Sequence, residues 1–501
     1  MNADQREGIR ENAKYLRNVR PIDPEEISEY VESQPHPAVV RQILREEALS
    51  LGLVEREDGT FEPVSDEPIL LSTPFRGVEA FPAEYGHLLE DLLAERFGPN
   101  WHEGESGGQL RETIRKLKAD YFRNNPVEYD DLAALGYAIY HLPDNYAVVQ
   151  YVLHELAEAG LLDRKLRILD VGAGVGGPAL GIHDYLPEDA LVDYHAVEPS
   201  AAADVFDHML SDARPNFHTE LHRETAEEFT PESGEGDENK PFDLILFANV
   251  LNELDDPESV VMRYLDSLAD DGSLLAVEPA DRETSIGLRR VERAVADEEG
   301  AAAVFSPTLR LWPGERPTNR GWSFDVKPDL AVPEFQRKLD EAARGSESTS
   351  DPGGANEREA TSNPERDSGE FVNADVQFSY ALLRPDGERR VEFTADPDRS
   401  AKMAEMERHV TQRIDLVAVK LSHNLAADED GRNPLFKVSD GSESVDHFAV
   451  LTNETALNSD LRTADYGDLL HFEQVLVLWN ADEEAYNLVV DEDTVVDRIP
   501  V

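Results

Sequence analysis

Between Leu166 and Leu180 the chain reads LRILDVGAGVGGPAL, with glycines at 172, 174, 176 and 177 directly after an apolar run. Ile168, Leu169 and Val171 suit a buried strand. Pro178 suits the first turn of a helix, where a missing N–H costs nothing. Strand, glycine turn and helix in that order make a unit that cradles a nucleotide-type ligand. Glycine takes backbone angles closed to other residues and lets a ligand approach the main chain. A second predicted strand, Leu191–Val197, ends at Glu198, 22 residues after Gly176, where a carboxylate reaches ribose hydroxyls.

Spacing alone leaves two cofactor classes open. Gly172, Gly174 and Gly177 fit the G-x-G-x-x-G of dinucleotide sites, while Asp170, Gly172, Gly174 and Gly176 fit the D-x-G-x-G-x-G of S-adenosylmethionine sites. Two further stretches discriminate. FDLILFANVLNEL (242–254) is a predicted strand leaving Asn249 at its carboxyl end, and GSLLAVEP (272–279) is a turn and strand ending in Glu278. These four stretches, in this order, resemble the successive motifs of class I S-adenosylmethionine-dependent methyltransferases. The resemblance implies a Rossmann-like α/β sheet in which Asp170, Gly172, Gly174 and Gly176 hold the methionine moiety and Glu198 holds the ribose. Asn249 would line the methyl-transfer cleft. No Pro-Pro-Tyr continuation follows Asn249, so the grip that many exocyclic-amine methylases use is missing; Asn252 and Glu253 stand there instead and suit a helix cap. No catalytic residue and no metal ligand is assigned. No Tyr-x-x-x-Lys pair supports a dehydrogenase.

The 501 residues carry 47 cations, only ten of them lysine, against 104 acids, a formal charge of −57 spread over the whole chain. An acidic, lysine-poor surface of this kind resembles that of proteins from salt-accumulating halophiles. At molar salt the screening length is roughly 3 Å, so net charge does not exclude RNA as a partner. There are no cysteines, which rules out disulfides, thiolate metal sites and thiolate nucleophiles. The N-terminus has no apolar signal-peptide core and no apolar run approaches ~18 residues, so a cytoplasmic, non-membrane protein is expected.

The flanks read as separate modules. Residues 1–75 give helices and a hairpin around Asp58-Gly59, a winged-helix-like order; the first helix carries Arg6, Arg10, Lys14 and Arg17 as a basic stripe. Residues 76–160 form a helical lead-in broken at Pro143, with a second basic cluster at 111–123. Residues 161–393 form the methyltransferase-like domain. A disordered insertion is expected at 345–370, where apolar periodicity is absent, and a closing hairpin around Pro385-Asp386-Gly387. A helix is expected near 400–413. From 414 to 501 short alternating strands suggest a small, OB-like β-barrel, which would serve as a nucleic-acid module or a structural cap.

The segment YAIYHLPDNYAVV (137–149), together with DLILFANVLNEL, is similar to the methyltransferase-like family of the mitochondrial small-ribosomal-subunit assembly protein and its prokaryotic relatives, over roughly residues 115–385. The resemblance implies binding to the small ribosomal subunit or its rRNA. The family's iron–sulfur cluster is not expected, because Ser306, Thr308 and Ser323 stand in the corresponding surroundings and hydroxyls do not replace thiolates. Arg310, Arg316 and Arg320, with Trp312 and Trp322, would then contact RNA, or else form a proline-ordered cover over the sheet edge. Three functions follow in order: an S-adenosylmethionine-binding methyltransferase-like protein acting on small-subunit rRNA or in small-subunit assembly, a non-catalytic assembly factor with a retained cofactor site, and a small-molecule methyltransferase.

Overall fold

The computed structural model describes residues 3–500 apart from Ser33, 71–73, Asn124, Pro126, 232–240, 351–368, Asp428 and Asp430. The chain divides into two compact units, residues 1–230 with 328–376, and residues 231–327 with 377–501.

The first unit opens with α1 (Ala3–Leu16), α2 (Pro24–Tyr30), α3 (Pro37–Glu46) and α4 (Ala48–Leu51), followed by the hairpin β1 (Leu53–Glu55) and β2 (Phe61–Pro63). Proline at the first position of α2 and α3 follows a side-chain cap: Asp23 accepts from the Glu25 N–H and His36 from the Ala38 N–H. Ile9, Ile27, Val40, Leu44, Leu53 and Phe61 close over one another as this module's core. The basic stripe of α1 is largely turned onto its own module. Arg6 pairs with Glu46 at 2.9 Å and Glu47 at 2.7 Å, and Arg17 donates to the Leu51 carbonyl at 2.6 Å.

Three long helices follow, α5 (Ala83–Phe97), α6 (Gly104–Phe122) and α7 (Asp131–Glu158). The expected break at Pro143 does not occur, and α7 runs through it. Proline removes the N–H that would bond to Ile139, four residues back. The Gln336 side-chain amide donates to that carbonyl instead, at 2.8 Å. The second basic cluster is also engaged: Arg115 meets Glu370 at 2.7 Å and Lys118 lies 4.0 Å over the Tyr140 ring.

Next come β3 (Lys165–Val171), α8 (Gly177–Tyr185), β4 (Leu191–Val197), α9 (Ala202–Met209) and β5 (Phe217–His222). β4 pairs in parallel with β3 on one side and β5 on the other. α8 lies hard against α7: a Cβ on Gly181 would come within 2.4 Å of the Tyr146 carbonyl oxygen, and one on Gly177 within 2.8 Å of the Asn145 Cβ.

The second unit contributes β6 (Phe242–Ala248), α10 (Pro257–Leu265), β7 (Leu268–Pro279), α11 (Arg282–Arg293), β8 (Ala303–Ser306) and β9 (Asp325–Lys327). α12 (Glu334–Ser350) belongs to the first unit, and β10 (Val376–Arg384) returns to the second. α12 includes the first residues of the expected disordered insertion, and positions 351–368 of it lie outside the described residues. β6 runs parallel to β7, which pairs antiparallel with β10, which in turn pairs with β8. β3 to β10 are the strands of a Rossmann-like sheet. The closing hairpin expected at 376–393 is a single strand, β10. Beyond Arg384 the chain turns away, its guanidinium paired with Asp386 and donating to the Ser273 hydroxyl at 2.8 Å.

A 3₁₀ segment (Met403–His409) stands where a helix was expected. The C-terminal strands are β11 (Arg413–Lys420), β12 (Leu435–Ser439), β13 (His447–Leu451), β14 (Leu469–Asn480), β15 (Ala485–Val490) and β16 (Val495–Arg498), with the short α13 (Asp460–Thr463) between β13 and β14. β11, β12, β13, β15 and β14 neighbour one another in that order, and β11 pairs back to β14. This closes a five-stranded barrel in which β13 and β15 pair in parallel. The closed 1-2-3-5-4 order is that of an OB-like barrel. Leu416, Phe436, Ala449, Phe472, Val475 and Leu488 fill its interior.

Candidate cofactor site

β3 delivers the chain into the glycine turn, and β4 holds that turn down. The Gly172 and Ala173 N–H groups both donate to the Val197 carbonyl, at 2.9 and 3.1 Å, and the Gly176 N–H donates back to Ala173 at 3.1 Å. Gly172, Gly174 and Gly176 have φ of 76°, 54° and 90°, the left-handed region that a side chain resists. The glycines divide the work. A Cβ on Gly174 would have only the Gly172 carbonyl oxygen near it, at 4.0 Å, so the space above the loop is open. A Cβ on Gly176 would press on Leu210 at 3.0 Å and Phe206 at 3.2 Å.

Glu198, at the end of β4, is tied to this turn. Its Oε2 accepts the Gly174 N–H at 3.0 Å and its Oε1 accepts the Ser200 N–H at 2.9 Å. Asp170 lies beneath, fully buried, with Oδ2 accepting the Tyr194 hydroxyl at 2.7 Å. Oδ1 has no partner among the described residues. Burial pushes the Asp170 carboxyl up to about 7, with the nearby Glu198 charge adding to the rise and the Tyr194 bond opposing it. The structure thus brings Asp170, Gly172, Gly174, Gly176 and Glu198 together.

Asn249 stands in the other unit, at the end of β6. It is half-buried, takes φ of 58°, and its N–H donates to the Val277 carbonyl at 2.8 Å. A left-handed asparagine at a strand end turns the chain sharply. The turn is then fixed by Glu278, whose Oε1 accepts the Leu251 N–H at 2.9 Å. Glu278 is buried, and burial pushes its carboxyl up to about 8. The expectation that Asn252 and Glu253 cap the next helix is corrected: they lie in a 3₁₀ turn, and Asp256 caps α10 through the Ser259 N–H.

The residues expected to meet RNA fall into two groups. Arg310 and Trp312 do not face solvent. Arg310 is 10% exposed and pairs with Glu292 at 3.0 Å and Asp297 at 2.7 Å; Trp312 donates its indole N–H to Asp440 at 2.7 Å. Thr308 and the buried Arg289 also engage Glu292, and Tyr466 donates to Ser323 at 3.1 Å. Residues 305–326 are therefore the seat on which the barrel rests, a role confirmed by Lys437, which donates to the Trp322 carbonyl at 2.7 Å. Arg316 and Arg320 are exposed and Trp322 is half-buried.

Residues 144–332 match the family model of the methyltransferase domain. The central part of the chain is methyltransferase-like. Its sheet is a Rossmann-like methyltransferase sheet, with helices before it and a small barrel after it. Residues 6–57 match the N-terminal domain, and residues 404–499 the C-terminal domain, of a domain of unknown function, DUF8157. Among curated proteins no relative matches. Solved structures with a loose likeness include the plantazolicin methyltransferase BpumL in complex with SAH, at 10% identity over 60% of this chain and 99% of that one, with a TM-score of 0.29. The mitomycin 7-O-methyltransferase MmcR follows at 15% identity over 55% and 75%, with a TM-score of 0.23. An S-adenosylmethionine-dependent methyltransferase from Clostridium acetobutylicum stands at 13% over 32% and 56%, with 0.22. Among the described residues no helix is long and apolar enough to cross a membrane.

Proposed function

We propose that the chain binds S-adenosylmethionine at the Gly172–Gly176 loop and methylates RNA of the small ribosomal subunit. The observation that carries the cofactor half is the bond between Glu198 and the Gly174 N–H. Each carboxylate oxygen accepts more than one hydrogen bond, so Glu198 retains lone pairs for two ribose hydroxyls while the loop holds it in place. The open space over Gly174 admits a ligand against the main chain, and the unpartnered Asp170 Oδ1 is an acceptor for a cationic amine. No lysine is needed, because this cofactor carries no phosphate. When bound, it supplies a methyl group on a sulfonium sulfur, which needs no acid–base activation by the protein. The residues have only to orient donor and acceptor in line at about 3 Å and keep water out.

The RNA half rests on the family resemblance together with two features. An OB-like strand order suits oligonucleotide binding. A groove of about 920 Å³ is lined by Arg290, Arg293 and Arg320 beside Glu258, Glu298 and Glu299. The non-catalytic assembly-factor reading is favoured by one observation: the residues after Asn249 are locked in a 3₁₀ turn by Glu278, with no aromatic ring to grip a base.

Small subunits from a strain lacking this chain, incubated with the protein and methyl-labelled S-adenosylmethionine in molar potassium chloride, test the proposal. Label in small-subunit rRNA supports it. Stable association without label moves the assembly-factor reading ahead. Cofactor binding without association turns the search to small-molecule acceptors.

A further inference from the structure

We propose that His195, Glu220 and His222 form a binding site for a divalent transition-metal ion of the Zn²⁺ type, independent of the methyl-transfer reading. The pattern is written along two strands. Asp193-x-His195 on β4 and His218-x-Glu220-x-His222 on β5 alternate with period two, so all five side chains project from one face. Register sets Asp193 opposite His218, His195 opposite Glu220, and Val197 opposite His222.

The ligand atoms converge. His195 Nδ1 and His222 Nε2 are 3.1 Å apart, and the rings are parallel to within 6°. Glu220 places Oε2 3.7 Å from His195 Nδ1 and Oε1 4.0 Å from His222 Nε2, and these donor atoms all lie within 4.8 Å of one another. Ligand atoms about 2.0–2.1 Å from a tetrahedral zinc are separated by about 3.3 Å, close to the nitrogen–nitrogen spacing here. Glu220 is exposed, so a small rotation brings it in.

The surroundings also suit ligation. His195 Nε2 lies 3.2 Å from Asp193 Oδ1, and Arg167 holds the other oxygen of that carboxylate at 3.2 Å. Arg167 Nη2 is also 3.4 Å from Nε2, but the nearer carboxylate asks that Nε2 carry the proton. That leaves the Nδ1 lone pair aimed at His222 and Glu220. A carboxylate behind a histidine is the arrangement that orients imidazole ligands in metal sites. Two imidazoles and one carboxylate select zinc-like ions over magnesium and calcium, which prefer all-oxygen cages. A plain hydrogen bond between two neutral histidines is the competing account of the 3.1 Å contact; it does not call for Glu220 or for the oriented Asp193.

Chelator-treated full-length protein is titrated with Co²⁺ in molar potassium chloride and excess magnesium, which occupies the surface carboxylates. One equivalent should bind with the visible spectrum of imidazole-ligated tetrahedral cobalt, and Zn²⁺ should displace it. His222→Ala should abolish the spectrum, and Asp193→Asn should weaken binding roughly 10- to 100-fold. Circular dichroism checks that each variant is folded, and Glu220→Gln, at an exposed position, gives a weakened spectrum if His222→Ala fails to fold. Absence of the spectrum in the parent, or the same spectrum and affinity in the folded variants, overturns the site.

Discussion

Replacing Glu198 by alanine separates the cofactor role of this residue from a merely structural one. In the free protein Glu198 accepts two backbone N–H groups, Gly174 at 3.0 Å and Ser200 at 2.9 Å. Both donors lie in turns at the mouth of the loop, where water can replace the carboxylate, so the fold should lose little stability. The ribose hydroxyls would have no such substitute once the ligand covers the loop. A hydrogen bond to a charged group contributes about 1.5–3 kcal/mol. The dissociation constant for S-adenosylmethionine should therefore rise about 10- to 150-fold. Glu198→Gln keeps one acceptor oxygen for Gly174 and should fall between parent and alanine variant. Calorimetric titration in molar potassium chloride reads the affinity, and a thermal melt of the same samples reads the fold. Unchanged affinity in a folded Glu198→Ala protein would refute the assignment.

Two further outcomes are expected. The Glu278 carboxyl is pushed from its ordinary range to about 8 by burial, so the folded state holds this proton more tightly than the unfolded chain does. Its contribution to stability is complete below about pH 4.5 and is lost as pH rises toward 8, with a slope of up to about 1.4 kcal/mol per pH unit. Glu278→Gln should lower the slope seen in denaturant titrations, most clearly between about pH 7 and 8, above the range in which the buried Asp170 carboxyl adds to it; an unaltered slope would show that Glu278 is not responsible. Gln336→Ala should cost about 1–3 kcal/mol by stripping the Ile139 carbonyl of its donor. The loss should shrink when Pro143→Ala restores a backbone N–H, and a double-mutant cycle with no coupling would show that Gln336 does not compensate for the proline.

The cofactor loop was legible because its chemistry is local. Glycines that need left-handed angles, a proline in the first helical turn and an acid at the next strand's end sit within about thirty residues of one another. Alternation with period two is plain in β13, while β12, with four consecutive buried residues, and the short β16 carry no such signal. What sequence reasoning missed depends on partners distant in the chain. Pro143 looks like a break until Gln336, nearly two hundred positions on, supplies the missing donor. Arg310 and Trp312 look like a surface for nucleic acid until Glu292, Asp297 and Asp440 claim them. Residues 385–393 alternate like a strand, but they do not continue the ladder of β10: the Arg390 N–H donates to the Phe305 carbonyl at 3.0 Å and the Phe393 N–H turns back to Val391. One signal was readable and passed over: the H-x-E-x-H run at 218–222 carries ligand types on a single strand face. Gly181 also went unread, because its reason is the close approach of α7 and not a turn.

The central claim is that the Gly172–Gly176 loop and Glu198 hold S-adenosylmethionine. Titrating the unmodified protein in molar potassium chloride with S-adenosylmethionine, and separately with NAD, tests it most directly. The account predicts saturable, micromolar binding of S-adenosylmethionine and none of NAD; binding of NAD alone, or of neither ligand, would contradict it.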